Sequence, residues 1–234
     1  ALQTAHVAFG YPSPAAALRS ENLRWIQLNS AGYTTYDHDE IIQKLVARRI
    51  ALTNSSSVYD EPCAQHLLAM ITGLARQLPA ALDSQRRDKA WEMVRLRASS
   101  PLLNEQTVLM LGFGAIARRL VELLSPLHMN LMAVRRSVKG DEQIKVVEVS
   151  QVDECLPIAD HVVNILPANE ETKNFLNATR LGSLKRGAIV YNIGRGVTID
   201  QDALKRELDS GRLAAAYLDV THPTANKGVV IERL

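Results

Sequence analysis

The 234-residue sequence predicts an α/β protein: a doubly wound parallel sheet with helices on both faces, joined to part of a smaller α/β domain. Three observations carry this. A strand, a glycine turn, a helix and a second strand follow one another without interruption from Thr107 to Ser137. The same βα rhythm then continues to Val220. A separate alternation of apolar and helical stretches occupies the chain before Ser57.

In chain order, His6 to Gly10 reads as a short strand, followed by a Tyr-Pro-Ser-Pro loop, and Leu23 to Leu28 as a second. Asp39 to Val46 has helical spacing, with Ile41, Ile42, Leu45 and Val46 inward; Ile50 to Thr53 is a third strand. From Glu61 to Arg87 runs one long helical pattern. Pro62 suits its first turn, and Pro79 kinks or breaks it. The domain boundary is placed near residue 100, dividing a partial domain (1–100) from a second domain (101–222) and an unassigned tail (223–234). The 61–87 helix is expected to pack against that second domain or a second subunit. Beyond Ser137 come a weak strand at Ile144–Val149, a short helix at Val152–Leu156 and a buried strand at His161–Leu166. The helical segment Phe175–Ser183, the strand Ala188–Ile193, the helix Gln201–Asp209 and the strand Ala214–Val220 complete the pattern.

The turn Gly112-Phe113-Gly114-Ala115-Ile116-Ala117 gives the first hint of function. Gly112 permits a tight turn out of the strand. Gly114 carries no side chain, so a pyrophosphate can approach the backbone, and Ala117 allows close helix–strand packing. The following helix points its amides and the positive end of its dipole at the phosphates. A purely structural glycine turn is the alternative, and the strand and amphipathic helix on either side argue for a dinucleotide. At the end of the next strand stand Arg135, Arg136 and Ser137, where an NAD site usually carries an acid, and no acid lies within reach of that turn. A guanidinium pairs with a 2′-phosphate that a carboxylate would repel. NADP(H) is therefore favoured over NAD(H), against the alternative of a solvated basic turn.

Composition excludes several classes. Hydrophobic residues at 47% and charged residues at 22% fit a globular protein with a real core. A net charge of +2 argues for neither nucleic acid nor a membrane surface as partner. No apolar run has the length of a membrane span, and no signal peptide opens the chain. Cys63 and Cys155 fall in no motif, which fits a reducing, cytoplasmic setting. No metal site is expected.

Further residues complete a pattern: Trp25-Ile26-Gln27 with Ser30-Ala31-Gly32, Ala159-Asp160-His161, Leu166-Pro167 with Glu171-Thr172, and Lys185-Arg186-Gly187-Ala188. After them come Asn192-Ile193-Gly194-Arg195-Gly196, Asp202-Ala203-Leu204 and Leu218-Asp219-Val220. With the glycine turn, this ordered set resembles the D-isomer-specific 2-hydroxyacid dehydrogenases, especially glyoxylate/hydroxypyruvate-reductase-like and phosphoglycerate-dehydrogenase-like members. The resemblance implies a Rossmann-type cofactor domain plus an incomplete flavodoxin-like substrate domain. It also implies hydride transfer between NAD(P)H and a small 2-keto or 2-hydroxy acid, in a homodimer. Arg195 would hold the substrate carboxylate and carbonyl oxygen, its flanking glycines letting backbone approach a ligand closely. The Ala31-Gly32 turn would offer backbone amides to the carboxylate. Gly112, Gly114, Ala115 and Ile116 would meet the cofactor, as would Pro167 and Thr172 on the adenosine side, Ile193, and Asp219 facing the carboxamide.

The family also uses a histidine from a Pro-His motif and a carboxylate from the loop after Leu-Asp-Val. Here that loop reads Thr221-His222-Pro223-Thr224-Ala225-Asn226, with no acid at the expected place. His222 sits too close to Asp219 to match the motif. Two readings follow. The chain is part of a normal enzyme, the preferred one, or it is a natural fragment that keeps the cofactor domain as a catalytically inactive sensor or corepressor-like protein.

Overall fold

The computed structural model describes residues 2–221 and 231–232. Its contacts divide the chain into two compact units, Ala1–Pro62 and Cys63–Leu234.

The first unit is a three-stranded parallel sheet in the order β1-β2-β3. It contains β1 (Val7–Gly10), α1 (Pro14–Arg19), β2 (Trp25–Leu28), α2 (Asp39–Ala47) and β3 (Ala51–Thr53). Leu23, Ile26, Leu28 and Tyr36 are fully buried and form its core with Leu45 and Ile50. Of the four apolar α2 residues expected inward, Leu45 alone is fully buried, while Ile42 and Val46 are exposed.

After β3 the chain forms α3 (Asp60–Ala75), α4 (Leu78–Arg87) and α5 (Met93–Ala98). The single 61–87 helix is thus two. Gln77 adopts the left-handed conformation (φ 56°), and Pro79 sits in the first turn of α4, where its missing N–H leaves no bond unmade. The boundary expected near residue 100 moves to Pro62–Cys63 for a packing reason. Ala64, Leu67 and Ile71 of α3 are fully buried in one cluster with Val108, Met110 and Leu120, so the helix belongs to the second unit.

The second unit is a seven-stranded sheet in the order β10-β9-β8-β7-β4-β5-β6. In chain order its elements are β4 (Thr107–Leu111), α6 (Ala115–Leu124), β5 (Asn130–Arg135), β6 (Lys145–Glu148), α7 (Val152–Cys155) and β7 (His161–Asn164). After these come α8 (Ala178–Ser183), β8 (Ile189–Asn192), α9 (Gln201–Asp209), β9 (Ala215–Leu218) and β10 (Ile231–Glu232). All pairs are parallel except β10 with β9. The two-residue β10 falls in the tail left unassigned, because so short a strand has no period to read.

Leu109 and Leu111 of β4 face one core, with Val162 and Leu204; Val108 and Met110 face the other. Burial on both faces explains the continuous apolar runs of β4, β7 and β8. Each fully buried leucine of these cores contributes about 2 kcal/mol of burial. Strand order reverses between β4 and β7, and in doubly wound sheets that switch point opens a crevice at the carboxyl ends of the strands.

Candidate cofactor and substrate site

A cavity of about 460 Å³ opens at this switch point. Its wall includes Gly112, Gly114, Arg135, Arg136, Ser137 and Thr172, drawn from the turns after β4, β5 and β7. β4 runs out into Gly112, whose φ of +103° suits glycine, and the Gly112 N–H donates to the Val134 carbonyl at 2.9 Å. Gly114 is the N-cap of α6. A β-carbon there would meet no heavy atom within 4 Å, so the space before the helix amides is open on the ligand side. Ala117, fully buried, lets α6 lie close on the sheet. These features fit a dinucleotide pyrophosphate. Ala115, exposed at the start of α6, and Ile116, packed at the edge of a core cluster, stand outside the cavity wall.

The basic strand end is more differentiated than its letters. Arg135 Nη1 pairs with Glu142 Oε1 at 3.0 Å, and that acid's side chain is only 5% exposed. Glu142 also accepts from the Lys139 N–H (2.9 Å) and the Gly140 N–H (2.7 Å). The Lys139 amide first, then the Gly140 amide and Arg135, hold this carboxyl below its ordinary range. The expectation of no acid within reach therefore needs correction. The segment after Ser137 folds back and delivers Glu142, seven residues on, to Arg135. Among the described residues Arg136 has one loose, exposed partner, Glu171 at 3.8 Å, and both lie on the cavity wall.

Pro167 and Thr172, expected on the adenosine side, belong to one closed turn. The Thr172 hydroxyl donates to the Pro167 carbonyl at 2.6 Å, and the Thr172 N–H donates to Asn169 Oδ1 at 2.9 Å. Asn169 lines the cavity and was missed from sequence; its Asn-x-x-Thr spacing, typical of reciprocal side-chain caps, was the available signal.

Ile193 and Asp219 are not in the cavity wall. Ile193 is 8% exposed and packs in a core cluster. Asp219 is exposed at the end of β9, its N–H donating to the Asn192 carbonyl at 2.9 Å. Tyr217, two residues earlier, is pushed up by burial and then by the Asp219 charge, and it hydrogen-bonds His66 of α3.

Arg195 is half-buried in the loop after β8, and its Nη1 donates to the Gly194 carbonyl at 2.7 Å. Gly194 corrects a second expectation. A β-carbon there would lie 2.6 Å from the Leu166 carbonyl oxygen and 2.9 Å from the Leu166 nitrogen. The glycine makes room for the protein's own backbone rather than for a ligand. In the first unit, the Ser30 hydroxyl donates to the Gly32 carbonyl (2.7 Å) and Asn54 Nδ2 to the Ala31 carbonyl (2.9 Å). These bonds fix the peptide planes of the Ala31-Gly32 turn. Leu28, Tyr33, Leu52, Thr53 and Asn54 line a cavity of about 470 Å³ beside it. Asn54 carried no sequence signal.

His161 is a core histidine at the start of β7, bonded to Tyr191 Oη (3.0 Å) and Gln106 Oε1 (2.7 Å), and burial pushes its pKa down to about 4. His222 lies outside the described residues. Among the described residues no helix is long and apolar enough to cross a membrane, and no three His, Cys, Asp or Glu side chains group as metal ligands.

Comparison with known proteins follows the same lines. The chain is 30% identical over 210 residues to an uncharacterized protein in the proB 3′ region of Corynebacterium melassecola, covering 87% of this chain and 65% of that one. It is 29% identical over 203 residues to glyoxylate/hydroxypyruvate reductase B of Escherichia coli, covering 85% and 60%. The chain thus spans less than two thirds of the length of these relatives. The structure superposes on that of the TT0316 protein from Thermus thermophilus with a TM-score of 0.83 at 27% identity, covering 97% of this chain and 72% of that one. Residues 68–228 match the family model described as D-isomer specific 2-hydroxyacid dehydrogenase, NAD binding domain. With its glycine turn, switch-point cavity and most of its length accounted for, the chain belongs to the D-isomer-specific 2-hydroxyacid dehydrogenase family.

Proposed function

We propose that this chain serves an NADPH-linked reductase of small 2-keto acids, with glyoxylate or hydroxypyruvate as the substrate type. The observation that carries the cofactor preference is the pair of unlike arginines at the end of β5. Arg135 is neutralised by Glu142, while Arg136 is 83% exposed on the cavity wall, held there only by the loose Glu171 pair that a 2′-phosphate would displace. When bound, the cofactor supplies hydride from its nicotinamide. The amides at the start of α6 hold the pyrophosphate, and Gly114 lets it come close. Arg195 binds the keto acid's carboxylate and polarises its carbonyl through its planar fork. In the first unit, the Ala31-Gly32 turn, its peptide planes held by Ser30 and Asn54, offers backbone amides to an anionic group.

A homodimer in the cytoplasm, with no nucleic acid or membrane partner, completes the reading. Trp91 is 86% exposed beside the exposed Leu78 and Leu82 of α4, an apolar surface suited to a second copy. The sequence Thr221 to Asn226, which carries no acid, keeps a second reading in view: a cofactor-binding sensor without turnover.

One preparation tests these points. NADPH should be consumed with glyoxylate or hydroxypyruvate, and sedimentation should give twice the chain mass. Arg136→Glu should weaken NADPH about tenfold while leaving NADH unchanged. Arg195→Ala should lower turnover by roughly a hundredfold and still bind NADPH. Cofactor bound but never oxidised would favour the sensor; an Arg136→Glu protein with undiminished NADPH affinity would end the NADP(H) assignment.

A further inference from the structure

Three polar side chains lie buried beneath the Arg195 loop. Asn164 closes β7, Asn192 closes β8, and Thr198 follows two residues after Gly196; they are 0%, 1% and 0% exposed. The two asparagines are register partners on adjacent strands. Buried amides are costly when unpaired, so their partners explain their presence.

The partners are complete. Asn164 Nδ2 donates to Asn192 Oδ1 (2.9 Å) and to Thr198 Oγ1 (2.6 Å), while its Oδ1 accepts from the Leu166 N–H at 3.4 Å. Asn192 Oδ1 also accepts from the Gly194 N–H (3.1 Å), which it shares with the Asn164 backbone carbonyl at the same distance. Asn192 Nδ2 donates to the Arg195 carbonyl (3.2 Å) and the Val220 carbonyl (3.4 Å). The Thr198 hydroxyl, having accepted from Asn164, donates its single proton to the Arg195 carbonyl at 2.6 Å. Neither amide can turn over without setting oxygen against oxygen or nitrogen against N–H.

The network converges on one atom. The Arg195 carbonyl oxygen receives the Thr198 hydroxyl, the Asn192 amide and the Thr198 N–H (3.2 Å). Arg195 is thereby held extended, at φ −145° and ψ 142°. With the backbone fixed, the direction in which the side chain leaves it is fixed too. Through Val220 the same asparagine ties down the strand end that carries Asp219.

We propose that Asn164, Asn192 and Thr198 are positioning residues, a buried bracket that sets the Arg195 backbone and so aims its guanidinium at the keto-acid carboxylate. The proposal rests on Arg195 being the substrate ligand. Fully satisfied buried networks of this kind rigidify what they hold, and binding groups lose effectiveness quickly when their support loosens.

The decisive comparison is Thr198→Val against Thr198→Ser, in the full chain. Valine keeps the shape and removes the hydroxyl, so KM for glyoxylate should rise about tenfold while the NADPH Kd stays within about twofold. Serine keeps the hydroxyl and should restore the parent KM. In parallel, backbone hydrogen exchange at Gly194 should accelerate about tenfold in the valine variant and not in the serine one. Unchanged glyoxylate KM and unchanged Gly194 exchange in Thr198→Val overturn the bracket, as does an NADPH Kd that weakens in step with KM. Should the valine variant fail to fold, Thr198→Ala is read in the same way: a raised glyoxylate KM at unchanged NADPH Kd supports the bracket, and an unchanged KM overturns it. A parent that never reduces keto acids would end the functional reading instead, and the exchange data would still decide whether the loop is held.

Discussion

Two loops of the form Gly-x-Gly leave the same sheet, Gly112-Phe113-Gly114 after β4 and Gly194-Arg195-Gly196 after β8, and they use glycine in opposite ways. At Gly114 the absent side chain leaves space that no protein atom enters. At Gly194 it leaves space already filled by the Leu166 backbone. The first glycine leaves open space and the second makes room for the fold. Sequence shows that a site needs glycine; only the surroundings show for whose benefit.

The contrast can be broken most sharply at Gly194. Alanine there forces a β-carbon into backbone atoms that cannot rotate away, and the second unit should lose about 3 kcal/mol, read as a shifted urea midpoint. A variant as stable as the parent would remove the distinction between the two loops.

Acid tests what the loops share. His161 of β7 bonds Tyr191 of β8 and Gln106 just before β4, so it ties together the strands from which both loops spring. Its folded pKa of about 4 lies below the ordinary 6.5. Between these values the unfolded chain takes up the proton that the buried imidazole refuses, so stability falls as pH drops from 6.5 towards 4. The slope should approach 1.4 kcal/mol per pH unit, or about 3 kcal/mol across the window. Urea titrations at several pH values should find this slope, and His161→Gln should flatten it. Cofactor binding and Gly194 exchange protection should then be lost together.

Gly114→Ala gives the smallest effect on folding. Its φ of −94° suits alanine, so stability should change by less than about 1 kcal/mol, the scale of an N-cap exchange. NADPH affinity should nevertheless fall about tenfold, because a methyl group stands where the pyrophosphate would approach. Equal NADPH titration curves for parent and variant would count against a ligand at that glycine.

How much of this was legible beforehand depends on the range of the interaction. The βα order and the glycine turn were readable because both are local: two-sided burial writes apolar runs into β4, β7 and β8, and a φ of +103° asks for glycine at Gly112. The domain boundary was not, since α3 joins the second unit through Leu67 and Ile71, about forty residues from their partners on β4. Nor was the Asn164–Asn192–Thr198 bracket, in which Asn164 lies far in sequence from the other two and meets them only when β7 pairs with β8. The one local trace is that these two apolar strands both end in asparagine. Glu142 was missed for a similar reason: an irregular segment has no period to announce that it returns to Arg135.

That acid has a reach of its own. Glu142 stands outside the cavity wall, yet it cancels one of the two positive charges at the end of β5. The charge that the cavity presents is therefore set partly by a residue outside its wall. Over descent, drift at this one remote position could retune which nucleotide is favoured while every wall residue keeps its letter, a change that comparison of binding-site residues alone would not register.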